Sequence, residues 1–198
     1  MNFQFTNSLM NTLSVAVQKN SHLQKLSLIN CQINDESAIS LSIGLQSNES
    51  VTNLDLSGNL LTSSGLECLV DCIEKQKINT LILAKNNIDY ISFVYNGKIH
   101  GLLFFDLSYN NLKERDLLIL FDILQTNKSL IHLILEGYEI TQKIYKKLCE
   151  LFLNNKCIEH FITNFDLNLV NNQMGLIQTS LMANNTIIEF GCNNLPEK

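Results

Sequence analysis

The 198-residue chain contains one proline, no tryptophan and a single arginine, Arg115. Fourteen basic residues stand against 19 acidic ones, which gives a formal net charge of −5. Because this balance supplies no basic surface, we expect no nucleic-acid partner. Charged residues make up only 17% and hydrophobic residues 45%, so the composition excludes a solvated disordered chain and favours a folded domain with a hydrophobic core.

Membrane and secretion signals are also lacking. No run of 18 apolar residues occurs, so no membrane span is expected. Residues Met1 to Phe5 carry neither a basic stretch nor an apolar segment, so we expect no secretory signal peptide and a cytoplasmic location. Reduced, structural thiols are then expected at all six cysteines, Cys31, Cys68, Cys72, Cys149, Cys157 and Cys192. The spacing of Cys68 and Cys72 is not that of a zinc site.

Catalytic signatures are absent as well. The chain has no G-x-S-x-G, H-E-x-x-H, G-x-x-x-x-G-K or G-x-G-x-x-G pattern. We therefore predict no enzymatic activity, no catalytic residue, no cofactor and no bound metal.

An internal repeat is what the sequence does contain. Segments with the spacing L-x-x-L-x-L-x-x-N/C-x-L start near residues 23, 51, 78, 102 and 130, and they read LQKLSLINCQI, VTNLDLSGNLL, INTLILAKNNI, LLFFDLSYNNL and LIHLILEGYEI. Weaker copies start near 158 and 187. Self-similarity at a fixed spacing of this length is typical of solenoid proteins.

Each repeat has two halves of different periodicity. In the second repeat, Leu54 and Leu56 alternate with polar residues, which predicts a strand. Further along, Leu66, Leu69 and Ile73 fall on one helical face. A strand followed by a helix in every repeat predicts parallel strands joined by helical connections.

This pattern resembles the leucine-rich repeat, and Cys31 at the asparagine position together with the 28-residue interval resembles the ribonuclease-inhibitor-like type. The resemblance implies an α/β fold, a curved solenoid of about six to seven repeats with the parallel sheet on the concave face and helices on the convex face. Residues 1–198 are then one domain, with residues 1–22 as an N-terminal capping helix. We expect a monomer.

Asparagines recur at two positions of the repeat. At the ninth position of the motif, Asn59, Asn86 and Asn110 are expected to turn inward and bond the backbone of neighbouring loops. Tyr138 and Asp166 replace this asparagine in later copies. At the predicted helix ends stands a second set, which asparagine suits because it tolerates the left-handed conformation: Asn48, Asn127, Asn155 and Asn184.

Two repeats are irregular. The third leaves only residues 89–101 for its second half, which we expect to form a short turn or extended piece whose aromatic residues (Tyr90, Phe93 and Tyr95) fill a gap or offer a second contact surface. The sixth has Thr163 where an apolar residue is expected.

A binding surface is predicted from the strand positions that point out of the sheet, the third, fifth and seventh of each motif. In the middle and C-terminal repeats these positions include four apolar residues that histidine, aspartate and glutamate frame, an apolar centre with a polar frame of the kind that binds proteins. An open sheet rich in β-branched residues could also simply expose such side chains. The candidate partner-binding residues are Ile82, Phe104, Asp106, His132, Ile134, Glu136, His160 and Ile162.

Three details of this surface carry specific expectations. Phe104 is the expected anchor, because aromatic residues contribute disproportionately to interfaces. His132, His160 and Glu189 occupy equivalent positions of adjacent repeats and are expected to lie in a row. Such a row can decorate a binding face, act as a pH-sensitive contact, or hold a metal. Ser108, at the seventh position, is expected to face outward.

The function predicted from these residues is a non-enzymatic protein–protein interaction module with a protein partner. The composition, with 26 asparagines, 13 lysines and one arginine, resembles that of the leucine-rich effectors of Legionella-type intracellular bacteria. That resemblance implies delivery by a secretion system into the host cytosol, where the chain binds a host protein. The alternatives are a cytosolic repeat protein of a protist, or a regulator of an enzyme. A regulator would be an inhibitor or a GTPase-activating factor acting through Arg115.

Overall fold

The structure, a computed structural model, describes residues 6–76, 78–91, 99–164 and 174–192. The helices within these ranges are α1 (Asn7–Lys19), α2 (Asp35–Gln46), α3 (Ser63–Gln76), α4 (Glu114–Leu124), α5 (Gln142–Asn154) and α6 (Met174–Ala183). The strands are β1 (Lys25–Ser27), β2 (Asn53–Asp55), β3 (Thr80–Ile82), β4 (Phe104–Asp106), β5 (His132–Leu135), β6 (His160–Thr163) and β7 (Glu189–Cys192).

All seven strands form one open sheet, in the order β1 to β7, and every neighbouring pair is parallel. Each strand begins two residues after a predicted repeat start. Parallel strands alternating with helices fit the α/β solenoid-like fold that the repeat predicts. Four features stay predictions: the repeat number, the curvature, the single-domain assignment and the capping role of residues 1–22. Helix α1 packs on α2 through Ser14, whose hydroxyl donates a hydrogen bond to the Ser40 carbonyl at 2.5 Å.

The hydrophobic core lies under one side of the sheet. The middle residue of each strand points into it, and in β1 to β6 these residues are buried: Leu26, Leu54, Leu81, Phe105, Leu133 and Phe161. Apolar residues of the helices, such as Leu41, Leu120 and Phe152, belong to the same cluster. The period of two in the strands and of 3.6 in the helices thus puts one side of each element into a shared core.

The inward role predicted for the ninth-position asparagines is confirmed. The Asn59 Oδ1 accepts from the Ile33 N–H at 3.0 Å, and its Nδ2 donates to the Leu28 carbonyl at 2.8 Å; Asn86 and Asn110 bond equivalent groups one and two repeats later. In the fifth repeat a tyrosine replaces the amide, and the Tyr138 hydroxyl donates to the Leu107 carbonyl at 2.6 Å. Burial raises the pKa of Tyr138 well above its ordinary value, so this donor keeps its proton.

The prediction for the helix-end asparagines is wrong. None of Asn48, Asn127, Asn155 and Asn184 has a positive φ, and Asn155 is extended, with φ −73° and ψ 138°. These residues act through their side chains instead: the Asn48 Nδ2 donates to the carbonyls of Val17 and Asn20, and its Oδ1 accepts from the Val51 N–H. At Asn48, Asn155 and Asn184 the side-chain amide thereby ties the helix end to the preceding repeat.

The left-handed conformation occurs elsewhere, at the eighth position of the first five motifs. Asn30, Gly58, Lys85, Tyr109 and Gly137 all have φ between 54° and 84°. Glycine and asparagine adopt this conformation readily, whereas lysine and tyrosine do so at a cost of about 1 kcal/mol. The turn after the strand is therefore imposed by the fold at two of these positions.

The irregular repeats are described in part. In the third, residues 89–91 carry no helix or strand, Tyr90 is exposed, and Phe93 and Tyr95 lie outside the described residues, as does Asp166. In the sixth, Thr163 is buried, and its hydroxyl donates to the Leu135 carbonyl at 2.9 Å. That bond explains how a polar residue occupies an apolar position.

Free thiols are found at four cysteines, Cys31, Cys68, Cys149 and Cys157. The side chains of Cys72 and Cys192 lie outside the described residues. Among the helices of the described ranges, none is long and apolar enough to cross a membrane.

Candidate functional site

The candidate site is the side of the sheet opposite the core. Two columns of side chains cross this side, aligned by the strand register. The first column is Lys25, Asn53, Thr80, Phe104, His132, His160 and Glu189. The second column is Ser27, Asp55, Ile82, Asp106, Ile134, Ile162 and Gly191. Seven of the eight candidate residues stand in these columns, and Glu136 follows β5.

The first column contains a stack of rings. The Phe104 and His132 ring centroids lie 5.5 Å apart, and the His132 and His160 rings are almost parallel, 4.2 Å apart with 9° between their planes. The His160 Nδ1 lies 2.9 Å from the Glu189 Oε2. The row predicted for His132, His160 and Glu189 is thus present, and Phe104 extends it by one more ring.

The environment of His132, the middle ring of the stack, disfavours its protonation. Burial lowers the pKa of His132, and the charge of His160 lowers it further, while Glu159 and Glu189 act in the opposite direction. Neutral imidazole is therefore the favoured form of His132 near pH 7. In that form the ring places no charge beside Phe104.

From β3 to β6, the second column is apolar except for Asp106. Asp106 lies between Ile82 and Ile134, whereas Ile134 and Ile162 are direct neighbours. Burial raises the pKa of Asp106, and Glu136 and Asp55 raise it further, against the hydrogen bond that Ser108 donates. The contiguous apolar surface therefore lies on β4 to β6, and Ile82 stands apart from it.

A third row borders the first column and was not considered from the sequence. It consists of the residues immediately before the strands, which backbone hydrogen bonds link from Leu103 to Ile131, Glu159 and Ile188. The side chains of Leu103 and Ile188 are 39% and 74% exposed. Glu159 lies close enough to His132 to act on its pKa. The apolar residues Leu103 and Ile188 at the second motif position are the feature of the sequence that could have indicated this row.

The seventh motif position does not face solvent in every repeat. Ser108 is only 2% exposed, so its predicted outward orientation is wrong. Its hydroxyl accepts a hydrogen bond from the Glu136 backbone N–H at 3.0 Å. Ser108 thus fastens two neighbouring turns instead of contributing to the surface.

The other candidate sites have fewer features that indicate binding of a ligand or a partner. A cavity of about 220 Å³ lies over β1 to β3, lined by Lys25, Asp55 and Ile82 among others. Among the described residues, no group of three or more His, Cys, Asp or Glu side chains could hold a metal ion. Arg115, which the GTPase-activating alternative requires, lies exposed in the first turn of α4.

Comparison with known proteins places the chain beside one that contains leucine-rich repeats. No protein-family model matches the chain. It is 31% identical over 130 residues, 62% of its length, to the mouse (Mus musculus) NACHT, LRR and PYD domains-containing protein 4B. The match spans 14% of the length of that curated relative. Its sequence similarity and its alternating parallel strands and helices fit a leucine-rich-repeat-like protein.

Among solved structures, the chain is similar to Leiomodin-1 Actin-Binding Site 2 (ABS2), with a TM-score of 0.31 and 16% sequence identity. The similarity covers 90% of this chain and 75% of the other.

Proposed function

We propose that this chain is a non-enzymatic protein-interaction module that binds a partner protein through the exposed side of its sheet. The observation that carries the proposal is the contiguous surface on β4 to β6. There the ring stack of Phe104, His132 and His160 runs beside Ile134 and Ile162. The similarity to a protein containing leucine-rich repeats supports the same function.

The exposed side of the sheet combines a rigid backbone with apolar area, and both favour docking of a partner. Hydrogen bonds between neighbouring strands fix the backbone under these side chains, so little conformational entropy is lost when a partner docks. An apolar centre with charged residues around it matches the anatomy of protein interfaces. Phe104 is the proposed anchor, since aromatic side chains contribute disproportionately to the affinity of protein interfaces.

The test is affinity capture with the full chain and two folded variants. The double variant Phe104→Asp/Ile134→Asp places two charges in the proposed contact surface. The variant Ile43→Asp makes the same kind of change on the outer side of α2, where Ile43 is 58% exposed. Circular dichroism and thermal melting establish that both variants keep the fold.

A partner retained by the natural chain and by Ile43→Asp, but lost by the double variant, supports the proposal. A partner retained by the double variant contradicts it and directs attention to the helical side or to the region of Tyr90.

A finer form of the proposal is that the chain is a bacterial effector that binds a host protein in the host cytosol. Its support is the composition, rich in asparagine and lysine with one arginine. Parallel capture from eukaryotic and bacterial lysates tests it. A partner that is captured only from the eukaryotic lysate, and that Phe104→Asp/Ile134→Asp loses, supports the effector role. A partner that is captured only from the bacterial lysate contradicts it.

A further inference from the structure

We propose that the partner segment that docks on β4 to β7 is basic and apolar: leucine-, isoleucine- or phenylalanine-type side chains flanked by lysine or arginine. This inference rests on the proposed function and adds the chemistry of the partner. It is carried by how charge is distributed around the apolar surface.

The apolar part of the surface is continuous across strands. The Phe104 ring stacks towards His132 and His160, and Ile134 and Ile162 stand side by side in the next column. Leu103, which is 39% exposed, belongs to the row that borders the first column. A partner therefore meets rings and aliphatic side chains over three neighbouring strands, which calls for apolar side chains on its own surface.

The charge around this apolar part has one sign. The outward positions on and beside β4 to β7 carry four carboxylates and neither lysine nor arginine. The four are Asp106, Glu136, Glu159 and Glu189. Lys25, the basic residue of the first column, lies at the opposite edge of the sheet, on β1. A partner that brings cations to the rim gains electrostatic complementarity, and an acidic partner is repelled.

These carboxylates are near one another and near the apolar centre. Asp106 is influenced by Glu136 and Asp55, which oppose its ionisation, and Glu189 contacts His160 at 2.9 Å. Cations that bind between such carboxylates relieve their mutual repulsion, and they do so beside an apolar surface. The net charge of −5 adds long-range attraction for a basic partner.

The experiment selects peptides without prior choice of sequence. A library of random displayed peptides is panned against the immobilised full chain, with counter-selection on Ile134→Asp. We expect the enriched peptides to combine lysine or arginine with leucine, isoleucine or phenylalanine. An enriched peptide is then synthesised, and its Kd is measured for the natural chain and for Glu159→Lys and Glu49→Lys.

Glu159→Lys reverses a rim charge, whereas Glu49→Lys makes the same change in the exposed loop between α2 and β2. We expect the Kd to rise at least about fivefold for Glu159→Lys and less than about twofold for Glu49→Lys. Binding should also weaken several-fold as the ionic strength rises from about 0.05 to about 0.3 M.

Each other outcome overturns the inference in a recognisable way. Neutral or acidic peptides that still fail to bind Ile134→Asp refute the basic chemistry and leave the docking surface standing. Peptides that bind Ile134→Asp as well as the natural chain, or no enrichment at all, refute this docking chemistry. Capture of a natural partner that depends on Phe104 and Ile134 then decides separately whether the proposed function survives.

Discussion

Asn155 links three segments of the chain through one side chain. Its Nδ2 donates to the carbonyls of Leu124 at 2.6 Å and Asn127 at 3.2 Å, and its Oδ1 accepts from the N–H groups of Cys157 and Ile158, both at 2.8 Å. The residue is 2% exposed. Because water does not reach this site, Asn155→Ala leaves the Asn127 carbonyl and the N–H groups of Cys157 and Ile158 without partners, whereas the Leu124 carbonyl still accepts from the Asn127 N–H at 3.2 Å.

Asn127 occupies the same position one repeat earlier, but only the oxygen of its side-chain amide is hydrogen-bonded. Its Oδ1 accepts from the N–H groups of Ser129 and Leu130, at 3.0 and 2.8 Å. Its buried Nδ2 has no hydrogen-bond partner among the described residues. The preceding repeat is four residues shorter than the usual 28.

These two environments predict different losses for the same substitution. At about 1 kcal/mol for each stranded group, Asn155→Ala lowers the free energy of unfolding by about 3 kcal/mol. Asn127→Ala loses the two backbone hydrogen bonds and a longer one from the Ser129 hydroxyl at 3.3 Å, but it also removes a buried, unpaired donor, which itself costs about 1–3 kcal/mol. Its net effect is then about 1 kcal/mol or less, a difference of about 2 kcal/mol between two residues that are 2% and 3% exposed.

Urea unfolding followed by far-UV circular dichroism measures this difference. With an m-value of about 2 kcal/mol per M, the midpoint for Asn155→Ala should lie about 1 M below that for Asn127→Ala. Equal m-values establish that the two variants unfold through the same transition. Equal midpoints, or a lower midpoint for Asn127→Ala, would refute the reasoning from hydrogen-bond satisfaction.

Three further predictions follow from single contacts. Tyr138→Phe removes the hydroxyl that donates to the Leu107 carbonyl and should cost about 1 kcal/mol in the urea assay; an unchanged midpoint contradicts this. Gly137→Ala should cost about 1–2 kcal/mol, because its φ is +84° and the new Cβ would lie 2.6 Å from the Tyr109 ring; a gain in stability speaks against it. An NMR titration should place the pKa of His132 below about 6.5, because burial and the neighbouring imidazole disfavour its proton. Since the unfolded chain then binds that proton more tightly, this histidine lowers stability as the pH falls below about 6.5, and a pKa at or above that value contradicts the prediction.

Strand positions could be predicted because the spacing of apolar residues fixes which side of each element is buried. The pair Leu54 and Leu56 marks β2, and the same pattern locates the other strands to within a residue or two. The role of the helix-end asparagines could not be predicted in the same way. Hydrogen bonds such as that from Asn155 to Leu124 join residues 31 positions apart, so they depend on how two repeats stack rather than on local conformation.

The columns of the candidate site could be predicted from the same alternation of residues along the strands. The contacts between side chains within each column could not. That Phe104, His132 and His160 share a column follows from the motif position. The near-parallel stacking of the two imidazoles depends on side-chain rotamers, which no spacing encodes. Burial of Ser108 depends on the neighbouring turn at Glu136, which is also a contact between repeats.

The carboxylates of the sheet differ in what they do for the fold, and this decides which of them can report on binding. Asp55 and Asp106 each accept a hydrogen bond from the backbone N–H two residues later, at 3.0 and 2.9 Å, and so close the turn that ends their strands. A charge change at Asp106 would therefore disturb the turn and the surface together. Glu189 contacts His160, so changing it alters the ring stack. Glu159 lies before β6, outside these turns, with its backbone held in the ladder, and Glu159→Lys therefore separates the charge of the surface from the stability of the sheet.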